Sequence, residues 1–142
     1  MSTLLLDVNV LVALAWPPHI HHRTAREWFA AEPRRRWATT PVTESGFIRV
    51  SSNAHVIADA RTPAESADFL VALQGHGAWE FWTDAVPVAR SMQGVMGYRQ
   101  VTDAHLLQLA HDQGGSVATF DAGLAQLAQE RGQSAVLIPS GL

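Results

Sequence analysis

The sequence predicts an α/β fold in which a central parallel sheet carries helices on both faces. Short apolar runs alternate with segments of helical periodicity along the chain, which is the pattern of repeated strand–helix units. The chain has 142 residues, 47% of them hydrophobic, which is enough to bury one core. Because no repeat or linker interrupts the pattern, we expect a single domain over residues 1–142.

The first part of the chain predicts two strands and two helices. Leu4–Leu6 is an apolar run that ends at Asp7, as a buried parallel strand does. The apolar residues that follow predict a short helix over 8–15. A second helix is expected over 21–31, and a second strand over 37–39.

Two helices are predicted from their start signals. Thr40 is an N-cap residue with Pro41 at the first helical position. Residues 62–65 read Thr-Pro-Ala-Glu, which is a capping box with proline in place, and the helix that they open runs to about Leu73. A short strand follows over 79–82.

The rest of the chain continues the alternation after one ambiguous stretch. Residues 85–100 contain two glycines and no clear period, so we expect a mixture of short helix and loop there. The next helix is stopped by Gly114 and Gly115. The last four elements are a helix, a strand, a helix and a strand over residues 102–113, 117–120, 122–130 and 135–138.

The composition excludes several kinds of chemistry. Without cysteine the chain forms no disulfide, thiolate metal site or cysteine nucleophile, which fits a cytoplasmic protein. All ten cationic side chains are arginine, so Schiff-base chemistry and phosphate-loop lysines are excluded. The absence of lysine also argues against phosphatases and phosphate-accepting regulators that pair an aspartate with a lysine. The net charge of −3 does not indicate a globally basic nucleic-acid binder, and neither a signal peptide nor a membrane-spanning run is expected.

Four of the thirteen acidic residues are not explained as solvated surface. Asp7 and Asp121 each follow a predicted strand directly. Glu44 and Asp103 lie in the first turns of helices, on the same face as the apolar residues three and four positions later. Taken singly, each of the four has a structural explanation as a helix cap or as an acid near a helix dipole. Six of the other nine acids are assigned to the surface or to a capping box: Glu27, Glu32, Glu65, Asp68, Asp112 and Glu130.

Taken together, the four acids indicate a metal site. Strand ends and the starts of the following helices lie at one edge of a parallel sheet. Carboxylates that converge there repel one another unless a cation neutralises them. Oxygen ligands favour Mg²⁺ or Mn²⁺, which activate water in phosphodiester hydrolysis.

The same positions carry a resemblance to a known family. Four segments, in order and at fitting spacings, resemble the motifs of PIN-domain ribonucleases and most closely those of the VapC toxins of bacterial toxin–antitoxin modules. They are Leu5-Leu6-Asp7-Val8-Asn9-Val10-Leu11, Thr43-Glu44, Thr102-Asp103-Ala104-His105-Leu106-Leu107 and Thr119-Phe120-Asp121. The resemblance covers nearly the whole chain and implies a PIN-like α/β/α sandwich. It departs from the family's usual pattern at His105, where an apolar residue is more common.

The resemblance also implies an activity and partners. It implies Mg²⁺- or Mn²⁺-dependent cleavage of RNA in which the 3′-oxygen leaves, and neutralisation by a cognate antitoxin; we also expect a homodimer. The metal-site acids that the resemblance implies are Asp7, Glu44, Asp103 and Asp121. Asn9 and Thr119 would orient these acids by hydrogen bonds.

Some residues and rival functions stay open at this point. Arg49 is a candidate contact for RNA phosphate, and so is the arginine cluster 34–36. His19, His21 and His22 lack the further ligand that a metal site would need, so they have no assigned role. A catalytically silent PIN fold that binds RNA or protein is the main alternative, and it predicts a missing acid.

Overall fold

The computed structural model describes residues 2–140, and within them a five-stranded parallel sheet lies between two layers of helices. The strands are β1 (Leu4–Leu6), β2 (Arg36–Thr39), β3 (Ala78–Phe81), β4 (Ser116–Thr119) and β5 (Ala135–Leu137). The α-helices are α1 (Val8–Ala15), α2 (His22–Ala30), α3 (Pro41–Ser51), α4 (Pro63–Leu73), α5 (Val101–Asp112) and α6 (Ala122–Glu130). The predicted α/β/α sandwich is confirmed.

The strand order is β3-β2-β1-β4-β5, so β1 lies at the centre of the sheet. The chain first builds outward from β1 to β3 and then returns to place β4 on the other side of β1. The carboxyl ends of β1 and β4 therefore lie at the point where the strand order reverses. In open parallel sheets this reversal point forms the crevice that holds ligands.

Consecutive residues of β1 bury their side chains in two separate cores, one on each face of the sheet. Leu6 belongs to a core with α1, α3 and α4, in which Trp37 and Phe47 are fully buried. Leu5 belongs to the core on the other face, which α5 and α6 cover through Leu107 and Leu124. This alternation is expected of a strand buried on both faces.

The element boundaries differ from the predictions by at most one residue. β2 begins at Arg36, where the backbone pairs with Ala78 of β3, although the arginine side chain is exposed. Apolar patterning misses such a strand start because the residue is polar. The stretch predicted to mix helix and loop contains two short 3₁₀ helices, Val88–Ser91 and Tyr98–Gln100. None of the helices within residues 2–140 is long and apolar enough to span a membrane.

Both predicted helix starts are confirmed. Thr40 accepts a hydrogen bond from the backbone N–H of Thr43, and Pro41 occupies the first turn of α3. Thr62 and Glu65 form the reciprocal capping box of α4. After the C-terminal end of α5, Gly114 has a left-handed backbone with φ of 70°. Glycine adopts this conformation without the steric cost that other residues bear.

Candidate active site

Asp7 and Asp121 lie at the carboxyl ends of the two neighbouring strands β1 and β4. The backbone N–H of Asp7 donates to Ala118 of β4, so the pairing of the strands continues to the site itself. Each carboxylate also caps a helix: Asp7 accepts from Val8 at 2.8 Å and Asp121 accepts from Gly123 at 2.8 Å. One oxygen of each carboxylate is thereby held in place by the backbone.

The hydroxyl of Thr119 links these two acids. It donates to Oδ2 of Asp7 at 2.7 Å and accepts from the backbone N–H of Asp121 at 2.9 Å. The side-chain amide of Asn9 donates to the same hydroxyl at 3.3 Å. A threonine hydroxyl has one donor and two acceptor sites, and all three are used here. Asn9 also accepts from the backbone N–H of Phe120 at 3.3 Å, which joins α1 to the end of β4.

Asp103, in the first turn of α5, completes a cluster of three acids. Burial, together with the negative charges of Asp7 and Asp121, raises the pKa of Asp103 to about 6. Burial also raises the pKa of Asp7, against the opposing effect of its hydrogen bonds from Thr119 and Val8. These shifts are the electrostatic signature of carboxylates that are brought together without a neutralising charge.

The three aspartates line a cavity of about 610 Å³. The lining also contains apolar side chains, among them Trp16 and Ile57. A cavity that combines a few polar groups with an apolar lining is typical of a ligand-binding site. Here Asn9 and His19 are polar beside the three acids, and the apolar groups come from α1, the α1–α2 loop, the end of α3 and the segment after it.

Glu44 occupies a separate position beside this cluster. Its carboxylate accepts from the hydroxyl of Thr39 at 2.6 Å and from the side-chain amide of Gln74 at 3.5 Å. Thr39 in turn accepts from the indole N–H of Trp79 at 3.0 Å. Glu44 therefore lies at the carboxyl end of β2, but it is not among the residues that line the cavity.

The candidate arginine contacts are not part of the cavity lining either. Arg49 is exposed on α3, where its guanidinium lies 3.4 Å from the hydroxyl of Ser45. Arg35 is buried, stacks 3.9 Å from the ring centroid of Trp28 and donates to its carbonyl at 2.7 Å. Arg36 lies 3.3 Å from Glu80. Two of the three clustered arginines thus have structural partners.

The structure reveals histidine contacts that the sequence pattern did not indicate. His19 lines the same cavity as the three aspartates. The ring of His21 stacks on Phe120, with ring centroids 4.6 Å apart and planes 15° apart. His105 is buried between Ser91, at 3.4 Å, and Asp84, at 3.7 Å. Each contact joins residues of different helices, strands or loops, so no spacing within one element could have predicted it.

The donor set of the cavity fits a hard divalent cation. Within residues 2–140 no group of three or more histidine or acidic side chains is already arranged to hold an ion by itself. Mg²⁺ commonly binds through one or two carboxylates and completes its octahedral shell with water and substrate phosphate. Asp7 and Asp103, whose pKa values burial raises, are the groups that a cation would return to the ionised form.

Comparison with known proteins is consistent with this site. Residues 4–130 match the family model of the PIN domain. Ribonuclease VapC38 of Mycobacterium tuberculosis is 52% identical over 120 residues, which cover 84% of this chain and 85% of that protein. Ribonuclease VapC39 of the same species is 46% identical over 124 residues, covering 84% and 89%. Ribonuclease VapC29 is 41% identical over 139 residues, covering 97% and 98%.

A solved structure supports the fold alone. A domain of a functionally unknown protein from Methanocaldococcus jannaschii superimposes with a TM-score of 0.59 at 14% identity, covering 98% of this chain and 92% of that one. The family assignment rests instead on the sequence matches, which span the whole site from Asp7 to Asp121. The chain therefore belongs to the PIN-domain family, and within it to the group that contains the VapC ribonucleases.

Proposed function

We propose that this protein is a Mg²⁺- or Mn²⁺-dependent endoribonuclease and the toxin of a toxin–antitoxin module. The observation that carries the proposal is the cavity in which Asp7, Asp103 and Asp121 meet at the reversal point of the sheet. The relatives of 41–52% identity are named ribonucleases, which supports RNA as the substrate.

In this proposal Asp7, Asp103 and Asp121 hold the cation, and Glu44 is a fourth acid at the edge of the site. A bound Mg²⁺ or Mn²⁺ would favour the ionised form of an attacking water and stabilise the charge that develops on a phosphodiester. The protein's own part is to keep the carboxylates fixed and ready to bind. Thr119 and the backbone N–H of Val8 donate to both oxygens of Asp7 and so favour its charged form.

Substrate selection would follow from the shape of the cavity. A phosphodiester beside the three aspartates would place its sugar or base near the apolar part of the lining, which includes Trp16 and Ile57. Those apolar groups exclude water and strengthen the electrostatic interactions of the acids. Arg49, exposed on α3, is our candidate for a contact to RNA phosphate outside the cavity.

A partner that inhibits the enzyme would act most directly through the same acids. An arginine from an antitoxin, inserted among the carboxylates, would pair with them and compete with the cation. We propose that the cognate antitoxin does so, and that the toxin is a homodimer in the complex. The rival reading, a catalytically silent PIN fold, predicted a missing acid, whereas all four acids are present in the sequence.

The test is RNA cleavage by the purified chain and two variants. We expect the wild type to cut RNA in Mg²⁺ or Mn²⁺, to stop in EDTA and to work poorly with Zn²⁺, which prefers nitrogen and sulfur ligands. Asp7→Asn and Asp103→Asn should fold normally and lose activity. The control is Asp68→Asn, which changes an exposed acid on α4. Cleavage by Asp7→Asn at the wild-type rate would refute the assignment.

A further inference from the structure

The loop between α1 and α2 places a histidine in the acidic cavity and fixes the orientation of its ring. The backbone N–H of His19 donates to Trp16 at 2.9 Å, and its carbonyl accepts from His22 at 3.0 Å. Its ring Nδ1 accepts from the backbone N–H of His21 at 3.0 Å. Both backbone groups and one ring nitrogen are therefore held by the loop itself.

The neighbouring histidines anchor this loop to the rest of the site. His21 stacks on Phe120, the residue between Thr119 and Asp121. His22 donates from Nδ1 to the carbonyl of Ala13 in α1 at 2.7 Å. The loop that carries His19 is thus tied to both the strand and the helix that position the aspartates. A side chain supported in this way loses little conformational freedom when it binds a ligand.

The hydrogen bond at Nδ1 determines which nitrogen of the His19 ring carries the proton. A ring nitrogen that accepts a hydrogen bond has no hydrogen, so the ring is neutral and its N–H is at Nε2. Burial lowers the pKa of His19, and the neighbouring His21 and His22 lower it further, which favours the same neutral form. Within residues 2–140, Nε2 of His19 has no hydrogen-bond partner.

Among the described residues, His19 offers the cavity a ring N–H that no protein group uses. Of the other two side chains in the lining that carry N–H groups, Trp16 donates its single N–H to Ser51, and Asn9 donates one of its two amide hydrogens to Thr119. The three acids of the lining only accept when ionised. We propose that His19 binds the RNA substrate by donating from Nε2–H to an oxygen of the nucleotide in the cavity.

This inference rests on the proposed function and assigns a substrate contact to a residue outside the carboxylate set. A neutral donor suits this position for an electrostatic reason. An arginine or lysine there would pair with the aspartates and compete with the cation, as the proposed antitoxin arginine does. A neutral imidazole attracts an RNA oxygen without neutralising the acids.

Two substitutions distinguish the donor from the rest of the ring. Gln places its amide nitrogen near the position of Nε2, whereas Asn reaches only to the position of Nδ1. We therefore expect His19→Ala and His19→Asn to raise KM for RNA about five- to tenfold, the effect of one neutral hydrogen bond, with kcat within about twofold. His19→Gln should stay close to the wild type. His111→Ala, at an exposed position on α5, is the matched control.

The assay uses the full chain in Mg²⁺ with an RNA that the wild type cleaves, and thermal melts show that each variant is folded. The KM ratio should be the same at low and high salt, because a neutral contact releases no counterions, unlike an arginine–phosphate contact. A wild-type KM in His19→Ala, or a folded His19→Gln as impaired as His19→Ala, would overturn the contact. A wild type that cleaves no RNA would instead refute the proposed function.

Discussion

Thr119 and Asp7 are joined by a hydrogen bond of 2.7 Å, although 112 positions of the chain separate them. The bond supplies a donor to the carboxylate of Asp7, a residue that is only 8% exposed. The same hydroxyl accepts from the backbone N–H of Asp121, so one oxygen atom fixes the positions of two of the three acids relative to each other. The precision of the site thus depends on a neutral residue.

Thr119→Val keeps the shape of the side chain and removes this oxygen. Asp7 would lose its donor, the N–H of Asp121 would lose its acceptor, and the pKa of Asp7 would rise further. We expect the free energy of unfolding to fall by about 1–3 kcal/mol, the usual cost of leaving such buried groups without partners. Cleavage, measured in Mg²⁺, should fall at least tenfold. The free energy of unfolding is measured separately, by urea unfolding in EDTA. Thr119→Ser keeps the hydroxyl and should retain both properties; if Thr119→Val also retains them, the hydroxyl has no such role.

The raised pKa of Asp103 predicts how the stability of the metal-free protein depends on pH. Its pKa is about 6 in the folded chain against 3.8 as the ordinary value, so the folded state binds this proton more tightly than the unfolded state. The resulting stability is complete below about pH 4 and is lost as the pH rises through about 6. Thermal unfolding in EDTA should therefore show a smaller decrease over this range in Asp103→Asn than in the wild type.

Stabilisation by Mg²⁺ should depend on pH in the opposite direction, because Mg²⁺ binds the ionised form of Asp103. Stabilisation by Mg²⁺ should weaken as the pH falls through about 6, the pKa of Asp103. The exposed variant Asp112→Asn, on the same helix, should behave as the wild type in both experiments. Equal pH profiles for Asp103→Asn and the wild type would mean that Asp103 does not carry the shifted titration.

Glu44→Gln tests whether the acid beside the cavity contributes through its charge. Glutamine keeps an oxygen that accepts from Thr39, so the fold should be unchanged. If Glu44 attracts the cation, the concentration of Mg²⁺ needed for half-maximal cleavage should rise about three- to tenfold, corresponding to about 1 kcal/mol of lost attraction. Glu130→Gln, at the exposed end of α6, is the control. An unchanged Mg²⁺ requirement would limit Glu44 to a structural role.

The toxin proposal predicts a phenotype in cells. Expression of this chain alone should arrest growth, and co-expression of the small protein encoded beside it should relieve the arrest. The two proteins should copurify, and the interaction should weaken when a single arginine of the partner is replaced by alanine. Harmless expression of a catalytically active chain would contradict the toxin role and leave the ribonuclease proposal standing.

The parts of the site that the sequence predicts are those with a local cause. Asp7 and Asp121 were identifiable because each ends a short apolar run that leads into a helix, and Asp103 because Leu106 and Leu107 share its helical face. The fold class followed from the same alternation of strands and helices. These features depend on neighbouring residues, whose spacing is visible in the sequence.

The parts that the sequence did not predict depend on contacts between distant segments. His21 meets Phe120 only because the α1–α2 loop lies over the end of β4. His105 is buried beside Ser91 and Asp84, which belong to a region without periodicity. Similarly, the separation of Glu44 from the cavity lining depends on its bonds to Thr39 and Gln74, which no spacing along the chain indicates.

The pairing of the central strand β1 with β4 has a consequence for biosynthesis. A growing chain contains Asp7 from the start, but Thr119 and Asp121 are added 112 residues later or more. Parallel pairing over such a separation forms late, because the intervening chain must close first. A ribosome that is making this protein therefore carries a polypeptide with an incomplete set of acids until Asp121 has been added. Under the proposed function, nuclease activity would therefore arise only after Asp121 has been added and β4 has paired with β1.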